Sequence, residues 1–478
     1  MVATAGKCCG LLLTLAAALA SQRALGDDDG GFHASPSLYW QEGASRIDLN
    51  LALRERWETW DAFTRDTDGY NGFRTRLKLT YTWRDLLVLV GEVQDVRVAS
   101  LDPDGAGAIA LYRNAADGDY NAHGTDVHLL WAEFRPSAGS SFRVGRQDLK
   151  VGPEVSYEEP DWKYLKTARL GERLIGSVGW THEERAADGI TFSWDSGGHK
   201  LFGFAAQPTS GVYEVDNAYR SLHDVNYEGA EWTVKRGTWL PNTELSALTI
   251  AYQDHRPPVD GGLAHGLSLV TVGTSLLGVY PAGPGKIDVL LFGAGQFGTY
   301  NRLDHAAWAA FFEAGYQLPD VFGTPWLRAG VNAGSGDHNP NDGDHGTFFN
   351  MLPTNHIYYG FADQVALPNL VNPFVQLRVT PHPMLALNLF AHWFRLTNSN
   401  DARYSGTGVY NLDTFGFNAQ PSRGFTHVGR EYDVVATLTP HKALTLEAGW
   451  CWFEGGAMFG LNKSQELHFG YVSAELKY

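Results

Sequence analysis

Apolar and polar residues alternate with a period of two along much of the chain. In residues 47–57 the apolar positions alternate with polar ones that include Asp48, Arg54 and Arg56. The same alternation recurs in residues 73–83, 308–317, 428–439 and 444–452. A period of two is typical of β-strands, because successive side chains point to opposite faces of a sheet. The pattern therefore predicts an all-β protein.

The predicted strands are joined by connections that are alternately short and long. About eighteen strands are predicted, and they start near Arg46, Phe73, Leu86, Asp126, Ser141, Gly189, His199, Glu228, Leu245, Gly266, Lys286, His305, Pro325, Asn372, Met384, His427, Ala443 and Gln465. Short turns are expected at residues 84–85, 136–139, 196–198, 381–383 and 440–442, and long connections at 58–72, 99–125, 149–188, 335–371 and 397–426. Outer-membrane barrels have an even number of strands, short periplasmic turns and longer outer loops. We therefore predict one transmembrane antiparallel β-barrel over residues 46–478.

The ends of the strands favour a lipid-embedded barrel over a soluble sandwich. Apolar faces end in aromatic residues, as interfacial girdles require; these are Trp57, Trp83, Tyr316, Trp393, Trp450 and Trp452. The last strand places Val472, Ala474, Leu476 and the terminal Tyr478 on one face, which resembles a barrel-assembly signal. Beyond the N-terminus, no apolar run reaches the roughly 18 residues that a membrane helix needs.

The N-terminus has the pattern of a secretory signal. Lys7 precedes an apolar stretch that runs from Leu11 to Leu19, with small residues at the cleavage position. We predict a signal peptide over residues 1–20, with a second candidate cleavage site after residue 26, and a periplasmic segment over residues 27–45. The outer membrane of a Gram-negative bacterium is the predicted location. Cys8 and Cys9 lie in the signal, so Cys451 is the one cysteine left, which excludes an internal disulfide framework.

The distribution of charged residues along the chain indicates which class of solute the lumen would favour. A net charge of -16 argues against nucleic acid as a partner, because phosphate binding needs a basic surface. Cations nevertheless concentrate on the polar strand faces, which would line the lumen: Arg46, Arg54, Arg56, Arg74, Arg76, Lys78, Arg143, Arg328 and Arg378. Guanidinium groups bind carboxylates in a bidentate manner, so such a lumen favours an anionic solute. The alternative is a structural ladder of ion pairs with the acids Glu92, Glu231, Glu313, Glu431, Asp433, Glu447 and Glu475.

Several segments resemble the alginate-export family of outer-membrane proteins. They are Arg54-Glu55-Arg56, Arg74-Thr75-Arg76, residues 142–147, residues 171–176 and, most specifically, residues 334–343 continued through 346–348 and 356–363. The resemblance implies an eighteen-stranded barrel, secretion of an anionic polysaccharide and an arginine-rich selectivity zone. It also implies a lid formed by a long periplasmic turn, but the turn at residues 439–442 is too short for that role. Occlusion would then come from an outer loop, or be absent.

One loop has the spacing of an oxygen cage for a cation. Asp337, Asn339, Asn341 and Asp344 could hold Ca²⁺, although Asp342 stands where the usual calcium loop has glycine. Turn formation by Asn, Asp and Gly is the alternative. No histidine or cysteine spacing predicts zinc, and no nucleophile with a nearby base predicts an enzyme.

The function expected from these features is passive passage of an anionic, alginate-like polysaccharide. Outer-membrane lipid would surround the barrel, and periplasmic export proteins are possible partners. Two alternatives stay open: a general or anion-selective porin for small hydrophilic solutes, and an adhesin-type barrel with a plugged lumen.

Overall fold

Eighteen antiparallel strands form a closed barrel in the computed structural model, which describes residues 32–34, 38–63, 67–258, 262–407, 419–459 and 465–478. The strands are β1 Ser45–Ala62, β2 Asp68–Trp83, β3 Leu87–Ala99, β4 Asn121–Ser137, β5 Ser140–Gln147, β6 Ala187–Ser196, β7 His199–Pro208, β8 Val225–Val234, β9 Thr243–Asp254, β10 Leu267–Ala282, β11 Gly285–Tyr300, β12 Leu303–Gln317, β13 Trp326–Gly334, β14 Leu370–His382, β15 Leu385–Leu396, β16 His427–His441, β17 Leu444–Gly455 and β18 Glu466–Lys477. The barrel closes where β18 pairs with β1. The predicted fold class and strand number are confirmed.

The N-terminal region adds a short ribbon to the barrel. Phe32–Ala34 pairs with Leu38–Glu42, which in turn pairs with the first residues of β1. Both short strands belong to the predicted periplasmic segment, residues 27–45. The predicted signal peptide, over residues 1–20 or 1–26, lies outside the described residues.

Side chains alternate between an outer face and the lumen. On β2, Leu77 and Leu79 are about half exposed on the outer face, whereas Arg74, which has the opposite parity on the same strand, is buried inside the barrel. An apolar outer face meets hydrocarbon, and closure pairs every strand edge, which lipid requires. The predicted aromatic positions Trp57, Trp83, Trp393 and Trp450 are exposed on this face. No helix among the described residues is long and apolar enough to cross a membrane.

The two ends of the barrel differ in their connections. Turns at residues 84–86, 138–139, 197–198, 283–284, 383–384 and 442–443 define the short-turn end. The opposite end carries long connections at residues 100–120, 148–186, 209–224 and 335–369. The predicted connection at 58–72 is shorter, because β1 continues to Ala62 and β2 begins at Asp68. The alternation also fails elsewhere: only Asn301 and Arg302, both with positive φ, join β11 to β12 at the long-loop end, and residues 235–242 and 318–325 form longer connections at the short-turn end.

The long connections contain structure that the period-two pattern did not predict. They include the helix α1 Ala108–Ala115, the helix α2 Pro160–Tyr164, a π-helix over Leu165–Leu170, a 3₁₀ turn over Ala457–Phe459, and the short strands Asp344–His345, Arg403–Tyr404 and Ala419–Gln420. Two connections, here called the first lumen loop (residues 148–186) and the second lumen loop (residues 335–369), pack into the barrel. Trp162, Leu165 and Ile175 of the first loop and Phe348 and Tyr358 of the second are buried in one apolar cluster with inward-facing strand residues. The lumen therefore contains a packed core.

Candidate functional site

The arginines of β1 hold the backbone of the first lumen loop. The Arg54 guanidinium donates to the Gly179 carbonyl at 2.9 Å and to the Thr181 carbonyl. Arg56 donates to the Trp180 carbonyl and lies 3.9 Å from the centre of the Trp180 ring. Both side chains point into the barrel, and each donates to backbone carbonyls of residues 179–181, here called the loop tip.

The arginines of β2 bind a carboxylate of the same loop. Glu184 accepts a hydrogen bond from Arg74 at 2.8 Å and lies 3.2 Å from the Arg76 guanidinium. Arg74 also reaches Glu475 at 3.3 Å, and Arg76 lies 3.5 Å from Glu92. The expected ladder of ion pairs with Glu92 and Glu475 is present, and it extends onto the loop.

The inward face of β1 carries one more acid than the sequence interpretation assigned to it. Within residues 47–57, whose alternation predicts this strand, Asp48 is the acid on the polar face. Because β1 continues past residue 57, Glu58 also lies on this face and accepts a hydrogen bond from Arg56 at 2.7 Å. The cations of this wall are therefore more fully neutralised than the sequence suggested.

A second group of ion pairs anchors the first lumen loop to the opposite wall of the barrel. Glu313 of β12 accepts hydrogen bonds from Arg169 and from Arg328, both at 2.8 Å, and from Arg173. Arg328 also donates to Asp288. All of these side chains are almost fully buried. The sequence interpretation missed Arg169 and Arg173, although residues 171–176 were among the segments that carried the family resemblance.

The remaining predicted cations lie away from these anchors. Arg46 is half exposed at the short-turn end, where it bonds Asp48. Arg143 pairs with Glu133 at 2.6 Å. Arg378 donates to the Asn388 side chain at 3.1 Å, and its guanidinium lies 4.7 Å from the centre of the Tyr164 ring of the first lumen loop. The predicted lumen cations thus differ in whether they contact the loop or only the wall, and the role of each in a solute path stays a prediction.

A basic cavity opens beside the anchors of β1 and β2. This cavity, here called the basic vestibule, has a volume of about 660 Å³. Its charged lining consists of Arg54, Arg74, Arg76, Lys78, Lys442 and Lys477 against Glu92, Glu184 and Glu475. Lys442 lies in the turn between β16 and β17, so the vestibule is at the short-turn end. Lys78 is partly exposed there.

A smaller cavity continues from the vestibule along the loop tip. It measures about 300 Å³ and shares Arg54, Gly179 and Glu475 with the vestibule. Trp180 lines it and stacks on His356 of the second lumen loop at 3.9 Å between ring centres. The two lumen loops thus meet at this smaller cavity.

The predicted calcium loop forms turns at the long-loop end. The Asp337 carboxylate accepts the Asn339 backbone N–H at 2.9 Å, and Asp342 accepts the Asp344 N–H at 3.1 Å. Asn339, Asn341 and Asp344 are exposed. These hydrogen bonds account for the Asn/Asp/Gly composition through turn formation, and a calcium site stays a prediction.

Three consecutive titratable groups of the first lumen loop have shifted pKa values. Burial raises the pKa of Glu183 to about 8. Burial, with the nearby Arg56 and Arg54, holds the pKa of His182 well below its ordinary value. Burial opposes ionisation of Glu184 as well, but Arg76 and Arg74 hold the pKa of that carboxyl well below its ordinary range.

Docking of this loop should weaken as the pH rises from about 6.5 to 8. An undocked Glu183 ionises near 4.5 and an undocked His182 near 6.5. Between these values the two groups oppose each other, because docking disfavours both the carboxylate and the imidazolium. Above 6.5 only Glu183 still favours the undocked loop, by ~1.4 kcal/mol for each pH unit up to its docked pKa. This dependence flattens as the pH approaches the docked pKa of Glu183, so single-channel recordings should show loop openings about tenfold more often at pH 8 than at pH 6.5.

Glu183→Gln is the matched control for this prediction, because the amide keeps the shape of the carboxyl but cannot ionise. Its opening frequency should be the same at both pH values. A wild-type frequency that is flat, or that falls with pH, would contradict the assignment.

The comparisons agree with this architecture. A model of the alginate export family matches residues 45–472. The structure resembles OpdK from Pseudomonas aeruginosa (TM-score 0.56, 10% identity, covering 90% of this chain and 99% of that one). It also resembles P. aeruginosa OccK2 (OpdF) in complex with glucuronate (TM-score 0.56, 11%, 90% and 96%) and OccAB4 from Acinetobacter baumannii (TM-score 0.57, 8%, 90% and 98%). None of the curated proteins matches the chain significantly. The chain belongs to the alginate export family and is an outer-membrane β-barrel of porin type.

Proposed function

We propose that the barrel passively conducts an anionic, alginate-like polysaccharide across the outer membrane. The observation that carries this proposal is the basic vestibule at the short-turn end, which is the periplasmic end in barrels of this class. A chain of uronates presents one carboxylate per sugar. Such a chain would meet a run of cations that is only partly neutralised by Glu92, Glu184 and Glu475. Periplasmic export proteins that deliver the polymer belong to the same proposal.

Passage of a polymer requires the first lumen loop to move. Arg54 and Arg74 hold this loop, and both face the vestibule as well as the loop. Carboxylates of an entering polymer would compete with Glu184 for these guanidinium groups, because both ligands offer the same oxygen pair. Cargo binding would in this way favour the undocked loop by mass action.

A second candidate function is the uptake of small carboxylates. The cavities of about 660 and 300 Å³ have the size of small-molecule sites when the loops are docked. The structurally similar OccK2 was solved in complex with glucuronate, a single uronate. Block by monomers as strong as block by polymers, for the same concentration of carboxylate, would favour this candidate.

The test is conductance of the purified barrel in a planar lipid bilayer. Oligomers of uronic acids should block the current from the short-turn side, whereas neutral oligosaccharides of the same length should not. Equal block by both would remove the electrostatic basis of the proposal. A barrel that carries no current at any pH would instead favour the adhesin-type alternative with a plugged lumen.

Lys78→Glu should lower the anion preference of the channel. Lys78 lines the vestibule and forms no hydrogen bond or ion pair with the first lumen loop in the described part of the chain, so its reversal changes the potential and leaves the loop anchors intact. A unit charge at about 10 Å in water contributes about 0.4 kcal/mol, so reversal should reduce anion occupancy about fourfold at low salt. Reversal potentials in a salt gradient measure the change.

Arg97→Glu is the matched control for Lys78→Glu. Arg97 lies on the outward-facing side of β3 near the long-loop end and is 69% exposed. Its substitution by glutamate changes the net charge by the same amount as Lys78→Glu. Its selectivity should equal that of the wild type. If both variants shift the reversal potential equally, the vestibule does not set selectivity.

A further inference from the structure

Three potential metal ligands meet on the inward face of β16 and β17. Oxygen atoms of Glu431 and Asp433 and the sulfur of Cys451 lie within 4.8 Å of one another. Among the described residues, these three form the cluster of His, Cys, Asp or Glu side chains that is close enough to hold a metal ion. Asp433 and Cys451 are directly opposed across the two strands. All three side chains are at most 1% exposed.

The cluster leaves buried oxygens without partners. In the described part of the chain, both carboxylate oxygens of Asp433 lack a hydrogen-bond partner, and so does the Oε2 atom of Glu431. No lysine or arginine there forms an ion pair with either group, in contrast to Glu313. Burial of a carboxylate without compensation is costly, so the cluster calls for a cation or for retained protons.

A histidine on the neighbouring strand approaches this group at Asp433, although it lies outside the set of atoms that are within 4.8 Å of one another. His392 of β15 is opposite Glu431, and its Nε2 lies 3.8 Å from Asp433 Oδ2. The other ring nitrogen, Nδ1, lies 3.3 Å from the Asn372 side-chain oxygen. An N–H donated to Asn372 leaves the Nε2 lone pair directed at the cluster, which is the arrangement that usually orients a metal-binding histidine.

We propose that His392, Glu431, Asp433 and Cys451 form a structural zinc site. Thiolate, imidazole and carboxylate together suit Zn²⁺, whereas Ca²⁺ and Mg²⁺ take oxygen ligands only. Tetrahedral Zn²⁺ with bonds of about 2.0–2.3 Å places neighbouring ligand atoms roughly 3.3–3.8 Å apart. The separation of 3.8 Å between His392 Nε2 and Asp433 Oδ2 is at the upper end of that range. The Cys451 thiol donates to Glu431 Oε1 at 3.2 Å and would lose its proton on binding the metal.

The ion would also fasten the second lumen loop. Glu431 Oε1 accepts the Ala362 backbone N–H at 2.9 Å, while Oε2 remains for the metal. Gly360, with φ +90, passes so close to this carboxylate that a side chain there would collide with it. Zinc bound to Glu431 would hold the carboxylate in the position that binds the loop.

The experiment measures metal content and cobalt absorption of the folded barrel in detergent, after the purification tag has been removed. Elemental analysis should find one zinc per chain, retained through gel filtration. Replacement by Co²⁺ should give thiolate-to-cobalt charge-transfer absorption, and Cys451 is the one thiol beyond the predicted signal peptide. Cys451→Ser should abolish this absorption. Asn372→Leu should weaken Zn²⁺ binding about 10- to 100-fold, because it frees the His392 ring.

Asp188→Asn is the control, because it removes a carboxylate elsewhere on the wall and should keep zinc and cobalt binding unchanged. Heat-modifiable mobility on gels identifies variants that still fold. A folded wild-type barrel that takes up neither zinc nor cobalt would overturn the proposal and show that the two carboxyls keep their protons instead. This outcome is independent of conductance, so it leaves the proposed function untouched.

Discussion

The Glu313→Gln variant is expected to lose about 3–5 kcal/mol of folding stability. The glutamine would leave Arg169, Arg173 and Arg328 with the single carboxylate of Asp288, and the three guanidinium groups are at most 2% exposed. Removal of one partner from a buried ion-pair network costs far more than the pair contributes, because the remaining charges stay out of water. Denaturant unfolding in detergent, followed by tryptophan fluorescence, measures the loss.

Glu133→Gln provides the matched comparison. Glu133 also faces the lumen and binds two arginines, but Arg135 and Arg143 are 41% and 29% exposed. Water can solvate both after the substitution, so the loss should stay within about 1 kcal/mol. Similar losses of folding stability in the two variants would contradict the argument that burial makes the Glu313 network costly to break.

Replacing most of the first lumen loop, residues 149–185, by a tight turn should raise single-channel conductance severalfold. Gln147 of β5 is directly opposite Ala187 of β6, so a few residues can close the connection without altering strand pairing. Barrels of 16–18 strands leave an aqueous channel when no loop fills them. Water entering the lumen would solvate Arg74, Glu313 and the other former partners of the loop.

Shortening the exposed turn at residues 237–241 is the control, because this segment lies at the barrel rim and outside the lumen. Its conductance should equal that of the wild type. A loop-replaced barrel that folds but conducts no better would show that the second lumen loop alone closes the pore.

The strand framework could be predicted because its signal is local. Each strand carries its own alternation, and the predicted starts at Arg46, Leu86, His199 and His427 lie within one residue of the observed ones. Strand ends were less predictable. Ala62 and Asp68 continue β1 and β2 past the positions where alternation stops, because the partner strand supplies the hydrogen bonds there.

The lumen contents could not be predicted in this way. Residues 148–186 have no regular period, so nothing in them distinguishes an exposed loop from one that packs inside. Arg169 and Glu313 are far apart in sequence and meet only because the loop folds inward. The same holds for His392 and Cys451, which the search for short metal-binding spacings did not connect.

What this sequence determines by itself is the barrel: its strand number, its two faces, its aromatic rims and the side on which cations lie. These follow from a period of two, which any stretch of chain reveals without knowledge of its neighbours. The tertiary structure alone decides what those cations bind. Buried charges take their partners from whatever the closed barrel and its inward loops bring within hydrogen-bond distance, and that proximity is a property of the whole chain.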